Sequence, residues 1–207
     1  MWKNVGAEFF GTAFMVGVGC GTIALGWSGL AVSFSFGFAV FLAIVTCGPI
    51  SGAHINPAVT LGFWRSGHLE GKLVIPYIIA QIFGGLLGAG LTKGAGPTLP
   101  RDDISLAELV GIEVFITSVL MASILFILLR TTSTTVIAAW VGGSVALLAF
   151  VFGPLTGASM NPARTVGPNL VSNHASIIVT YVVSCCFGAM IASEIARRTT
   201  KNKPNES

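Results

Sequence analysis

Apolar residues run along this chain in six long blocks separated by short polar breaks. The blocks cover residues 5–27, 30–47, 72–91, 104–129, 135–152 and 176–196. Each has the length of an α-helix crossing a hydrocarbon core about 30 Å thick. Two further stretches, 56–64 and 161–170, are too short to cross. The linkers are brief. The longest, 93–103, is rich in Gly and Pro and parts the blocks into two sets of three. The pattern predicts an all-α membrane protein with six transmembrane helices and two half-helices.

Composition strengthens that reading. Of 207 residues, 53% are hydrophobic and 9% charged, where a soluble domain carries about 25% charged residues. Too few charges are present to cover a water-facing surface, so lipid is the expected solvent. A net charge of +3, scattered along the chain, gives no footprint for nucleic acid. Cys20, Cys47, Cys185 and Cys186 lie in apolar blocks without metal-ligand spacing and read as small core residues. The first block is long enough to stay in the membrane, and no cleavable signal pattern precedes it.

Lys and Arg set the expected orientation. If the spans alternate, Lys3, Arg65, Lys72, Arg130, Arg197, Arg198, Lys201 and Lys203 fall on one side, and Lys93 and Arg101 on the other. Eight against two places both termini in the cytoplasm. Trp2 and Trp27 bracket the first span as interfacial aromatics do. Asp102 and Asp103 read as solvated loop residues.

The chain also repeats itself. Ser51-Gly52-Ala53-x-x-Asn56-Pro57-Ala58-x-Thr60-x-Gly62 returns as Thr156-Gly157-Ala158-x-x-Asn161-Pro162-Ala163-x-Thr165-x-Gly167, at a 105-residue offset. Glu8 and Thr12 match Glu113 and Thr117, and Gly37 matches Gly142. Phe83-Gly84 matches Phe187-Gly188 with a one-residue slip. Glu108 resembles Glu8 at the wrong offset and reads as a decoy near the membrane edge. The expected units are a first repeat at 1–99, a second at 100–198, and a polar cytoplasmic tail at 199–207. Three spans per repeat is an odd number, so the second copy enters the bilayer inverted. The result is an inverted 3+3 repeat with a pseudo-two-fold axis in the membrane plane. The two short stretches then dip in from opposite sides, and Asn56 and Asn161 approach at the midplane.

Asn-Pro is a helix start. The Asn side-chain oxygen accepts from an N–H two or three residues on. Pro has no N–H to lose, and its φ is already helical. Tying up the oxygen leaves the Asn NH2 donors free for a lumen. Ala58 and Ala163 keep the bulk low enough for two half-helices to abut. One such start is an ordinary helix cap; two at a repeat offset, each between spans, point to a pathway. Irregular backbone survives at membrane depth only when buried in protein or facing water, which predicts a row of carbonyls before each Asn along a wet channel. Both partly positive N-terminal ends aim at its centre and oppose a cation or hydrated proton.

Arg164, three residues after Asn161, adds a fixed charge there; the blander alternative is a snorkelling surface residue. Glu8 and Glu113 are buried either for proton coupling or as scaffolds accepting N–H groups of the half-helix loops, and their symmetry favours scaffolding. His54 either faces the pore or braces its loop, and bracing is favoured. His68 and His174 are loop residues with no assigned role.

With these motifs in hand, the chain resembles the major intrinsic protein, or aquaporin, family over nearly its whole length. The resemblance is carried by Ser-Gly-Ala-His-Ile-Asn-Pro-Ala-Val-Thr at 51–60, Asn-Pro-Ala-Arg at 161–164, and the Glu8/Thr12 and Glu113/Thr117 pairs. It implies six tilted helices, two half-helices, one pore per subunit, a homotetramer, and passive transport of water or small uncharged solutes. It also implies a selectivity filter at Phe36, Ala149, Ala158 and Arg164. Phe36 and Arg164 match the usual aromatic and Arg. Ala149 stands where strict water channels carry His, and Ala158 is smaller than the usual residue. Thr165 and Asn169 replace the Asp and basic residue of glycerol-type members, and the water-type pattern is not matched cleanly either. A wider, less polar filter follows, which would pass water and also admit glycerol, urea, ammonia, hydrogen peroxide or neutral metalloid acids.

Two other functions fit the same architecture less well. A coupled transporter would use Glu8 and Glu113. A structural lattice element would need more adhesive surface than these short loops offer. No nucleophile–base pair, phosphate loop or metal cluster suggests an enzyme or a cofactor.

Overall fold

The computed structural model describes residues 1–201, and these are helical without strands. The helices are α1 (Trp2–Ala24), α2 (Gly29–Ser51), α3 (Pro57–Arg65), α4 (Gly71–Leu91), α5 (Leu106–Leu128), α6 (Thr134–Thr156), α7 (Pro162–Val171) and α8 (Ile178–Lys201), the last entered through a 3-10 turn at Ala175–Ile177. Six are long and apolar enough to span a membrane, and α3 and α7 are the half-helices. The helix α8 continues through Lys201, into the segment expected as a polar tail. The remainder of that tail lies outside the described residues.

Helix ends follow local chemistry. Gly26, at φ +70°, closes α1 as the Trp27 N–H reaches back to the Thr22 carbonyl, so α1 stops short of the predicted 27. Ser28 caps α2 by accepting from the Ala31 N–H. Ser105 and Glu108 form a reciprocal capping box on α5. Two spans run past their predicted ends. The apolar blocks break at Gly48-Pro49 and Gly153-Pro154, yet α2 and α6 continue to Ser51 and Thr156. A proline in a last turn already has helical φ and removes a single backbone bond.

The two sets of three helices repeat their contacts. The helix α1 packs on α4 and α2, α5 packs on α8 and α6, and the sets meet along α2 and α6. Each half-helix crosses over: α3 leans mainly on α8, and α7 mainly on α4. Glycine sets the closest approaches. A Cβ on Gly37 would run into the Gly142 carbonyl oxygen, and one on Gly142 into that of Gly37. Gly84 meets the Phe9 carbonyl as Gly188 meets that of Val114, which repeats the slipped match seen in the sequence. The exposed apolar side chains include Phe10, Phe34, Phe38, Phe83 and Phe187, as expected where lipid or another protein replaces water. Cys20 and Cys185 are buried and all four cysteines are unpaired.

Candidate functional site: a cavity where two half-helices meet

Each half-helix begins at its Asn. The Asn56 Oδ1 accepts from the Ala58 N–H at 2.9 Å and the Val59 N–H at 3.4 Å. Asn161 does the same for Ala163 and Arg164, at 3.0 and 3.4 Å. The side-chain amides then cross. Asn56 Nδ2 donates to the Met160 carbonyl at 2.8 Å, and Asn161 Nδ2 donates to the Ile55 carbonyl at 2.9 Å. This corrects the expectation that both NH2 donors stay free. One N–H on each Asn locks the two tips together, and the second is left for the cavity that both residues line.

The crossing depends on an unusual backbone. Before Asn56, Gly52, Ala53 and Ile55 have φ of +88°, +46° and +44°; before Asn161, Gly157, Ala158 and Met160 have +76°, +41° and +51°. Left-handed backbone costs a Cβ-bearing residue about 1–2 kcal/mol. It is over-determined here by a buried carboxylate in each half. Glu8 Oε1 accepts from the Ser51 hydroxyl (2.7 Å) and the His54 N–H (2.9 Å). Its Oε2 accepts from the Ile55 N–H (2.6 Å) and the Gln81 amide (2.7 Å). Glu113 repeats the pattern with the Thr156 hydroxyl and the Ser159 and Met160 N–H groups, at 2.7, 3.0 and 3.1 Å. Both carboxylates are fully buried, and neither lines the cavity.

Further supports had no motif to announce them. Tyr77 donates to the Ser51 carbonyl, and Tyr181 to that of Thr156. Their spacing shares the one-residue slip already visible at Phe83 and Phe187, which is the signal that would have found them. Gln81 bridges Glu8 and Thr60. Its slipped counterpart is Cys185, whose thiol lies 3.6 Å from Glu113 and 3.7 Å from Ser159. The linker between the halves is pinned as well. Thr98 exchanges two backbone bonds with the Asn169 side chain, at 2.7 and 2.9 Å.

A cavity of about 530 Å³ runs beside the junction. It is lined by Asn56, Asn161 and loop residues 52–55 and 157–160, together with apolar residues that include Val40 and Ile44 of α2 and Val141 and Val145 of α6. Phe36, Ala149, Ala158 and Arg164 all border this cavity. Arg164 is only 7% exposed, so the snorkelling alternative fails. Its guanidinium sits 5.0 Å above the Phe36 ring and donates to the Gly96 carbonyl at 2.8 Å. Among the described residues it forms no ion pair, so its charge is uncompensated beside the lumen. His54 combines both of its readings. It borders the cavity while Nδ1 pairs with the Thr60 hydroxyl at 3.1 Å. Ser159 holds Thr165 in the same way. His68 and His174 each share a hydrogen bond with a serine two residues earlier, beyond the ends of α3 and α7.

Six spans around two half-helices, with a cavity at their meeting tips, define a membrane channel architecture. The major intrinsic protein family model matches residues 1–196, and the chain belongs to that family. It is 36% identical over 205 residues to aquaporin NIP1-1 of Zea mays, covering 91% of this chain and 71% of the relative. It is 33% identical over 232 residues to aquaporin AqpM of Methanothermobacter marburgensis, covering 92% and 94%. It is also 32% identical over 202 residues to the glycerol uptake facilitator protein of Haemophilus influenzae, covering 80% and 76%. The fold superposes on the X-ray structure of the aquaglyceroporin from Plasmodium falciparum with a TM-score of 0.89, at 23% identity and 96% coverage of both chains.

Proposed function

We propose that this protein is a passive transmembrane channel for water and small uncharged solutes that excludes protons and other ions. The observation that carries the reading is the pair of crossed Asn caps beside a cavity that both Asn residues line together with many apolar side chains. A permeating molecule exchanges its hydrogen bonds with water for bonds to the Asn amides and loop carbonyls. The two helix N-termini and Arg164 set a positive potential at the same place, which opposes cations and hydrated protons. In this reading Phe36, Ala149, Ala158 and Arg164 form the filter.

A second reading, a facilitator of glycerol, urea or metalloid acids with water secondary, is favoured by the two methyl side chains at Ala149 and Ala158. Coupled transport is disfavoured because Glu8 and Glu113 spend their oxygens on loop donors away from the lumen. We further propose a homotetramer, one pore per subunit, and cytoplasmic termini. The tetramer rests on the family, and the orientation on the Lys and Arg distribution.

Osmotic shrinkage of protein-containing vesicles tests the channel, and isotonic uptake of glycerol and urea tests the wide filter. Shrinkage no faster than in empty vesicles rejects the first; movement of water alone rejects the second.

A further inference from the structure

Outside the central cavity, the structure holds a second recess, with charged walls. It lies where the C-terminal end of α3 meets the last turns of α8, and its volume is about 390 Å³. Arg65, the last residue of α3, pairs with Glu194 of α8. Arg197 and Arg198 pair with the same carboxylate, at 3.1 and 2.6 Å. Three guanidinium groups thus gather on one carboxylate. Arg198 commits its Nε to Glu194 and is 74% exposed in its side chain, so its terminal nitrogens point outward. Below these charges the recess continues onto an apolar strip of α8, where Phe187 and Ile195 are each 59% exposed and Met190 and Ile191 are half-buried.

A cationic rim directly above an exposed apolar strip on a spanning helix matches one kind of molecule in charge and polarity. Water-soluble anions have no use for the strip, and a zwitterionic lipid gains little from the Arg65 and Arg198 guanidinium groups at the rim. We propose that this recess binds an anionic phospholipid, its phosphate at Arg65 and Arg198 and an acyl chain along Phe187, Met190, Ile191 and Ile195. The site lies on the side of the membrane rich in Lys and Arg, where basic recesses between helices meet anionic headgroups. It joins a half-helix to the last span, so an occupant would fasten α3 against α8 from outside. The proposal does not depend on what the central cavity carries.

Native mass spectrometry of the purified full chain in detergent, titrated with phosphatidylglycerol, reads the site directly. Each basic side chain near an anionic headgroup contributes about fivefold in affinity, so the R65Q/R198Q variant should retain the lipid about twenty-five-fold less well. Phosphatidylcholine should bind the parent no better than it binds this variant, and free glycerol phosphate should not compete at matched concentration. Glu194→Gln removes the competing carboxylate while keeping all three arginines, and should bind phosphatidylglycerol as tightly as the parent or more so. That variant guards against loss of binding through misfolding. Equal retention of phosphatidylglycerol by R65Q/R198Q overturns the proposal. So do equal binding of phosphatidylcholine, displacement by glycerol phosphate, and weaker binding by Glu194→Gln.

Discussion

Replacing Glu8 by Gln probes how the half-helix loops are held. The change keeps the side-chain shape and exchanges one acceptor oxygen for an NH2 group. Oε1 serves the Ser51 hydroxyl and the His54 N–H; Oε2 serves the Ile55 N–H and the Gln81 amide. Whichever oxygen is lost, one backbone N–H then faces a donor. The neighbouring side chains can adapt. The Ser51 hydroxyl rotates, and Gln81 can turn in its Oε1, which has no partner. The backbone has no such freedom. An orphaned buried N–H costs about 1–3 kcal/mol, and loss of the charge from the surviving backbone bond costs about 1 more. The sum, about 2–4 kcal/mol, is comparable to the cost of holding Ala53 and Ile55 left-handed, about 1–2 kcal/mol each. Hydrogen–deuterium exchange over residues 52–56 should therefore accelerate by about thirtyfold or more. Exchange within twofold of the parent would show that the carboxylate does not hold this loop, and would refute the reasoning.

Gly37→Ala should lower the thermal unfolding midpoint in detergent, because its methyl meets the Gly142 carbonyl and overpacking costs about 1–3 kcal/mol. Gly143→Ala, with open space around the added carbon, should leave the midpoint unchanged or higher. Asn169→Ala orphans both backbone groups of the buried Thr98, at about 1–3 kcal/mol each; exchange at residues 96–99 should rise, and unchanged protection there would contradict the pinning. Ala149→His narrows the cavity that Ala149 and Arg164 both line, so isotonic glycerol uptake should fall more than water flux, and an equal fall in both would place the size discrimination elsewhere.

The spans were legible because lipid, as solvent, demands long uninterrupted apolar runs, and the half-helices because Asn-Pro states its own geometry. The 105-residue offset pairs Gly37 with Gly142, and those two glycines meet. What stayed hidden was set by tertiary geometry. Ala53, Ile55, Ala158 and Met160 carry nothing in their identity that marks a left-handed backbone; only the fold and the buried carboxylates hold them there. The crossing of Asn56 and Asn161 onto each other's loops follows from those dihedral angles and was equally invisible. The expected ends at 47 and 152 fall short because a proline within the last turn, as Pro49 and Pro154 are, looks the same in sequence as one beyond it. Cys185 gave no hint that it occupies the place of Gln81. Asn169 entered only as a departure from a family pattern, yet its side chain fastens the linker.

In the proposed channel an open path for water and a barrier to protons coincide in one place. Both can be read in the same vesicles by following stopped-flow shrinkage while an internal pH dye reports an imposed proton gradient. Shrinkage should run well above that of empty vesicles with the gradient intact, and should return to the empty-vesicle rate when Ala149→Trp places an indole in the cavity that Phe36 also lines. Collapse of the gradient together with shrinkage, or rapid shrinkage that survives Ala149→Trp, would contradict that coincidence.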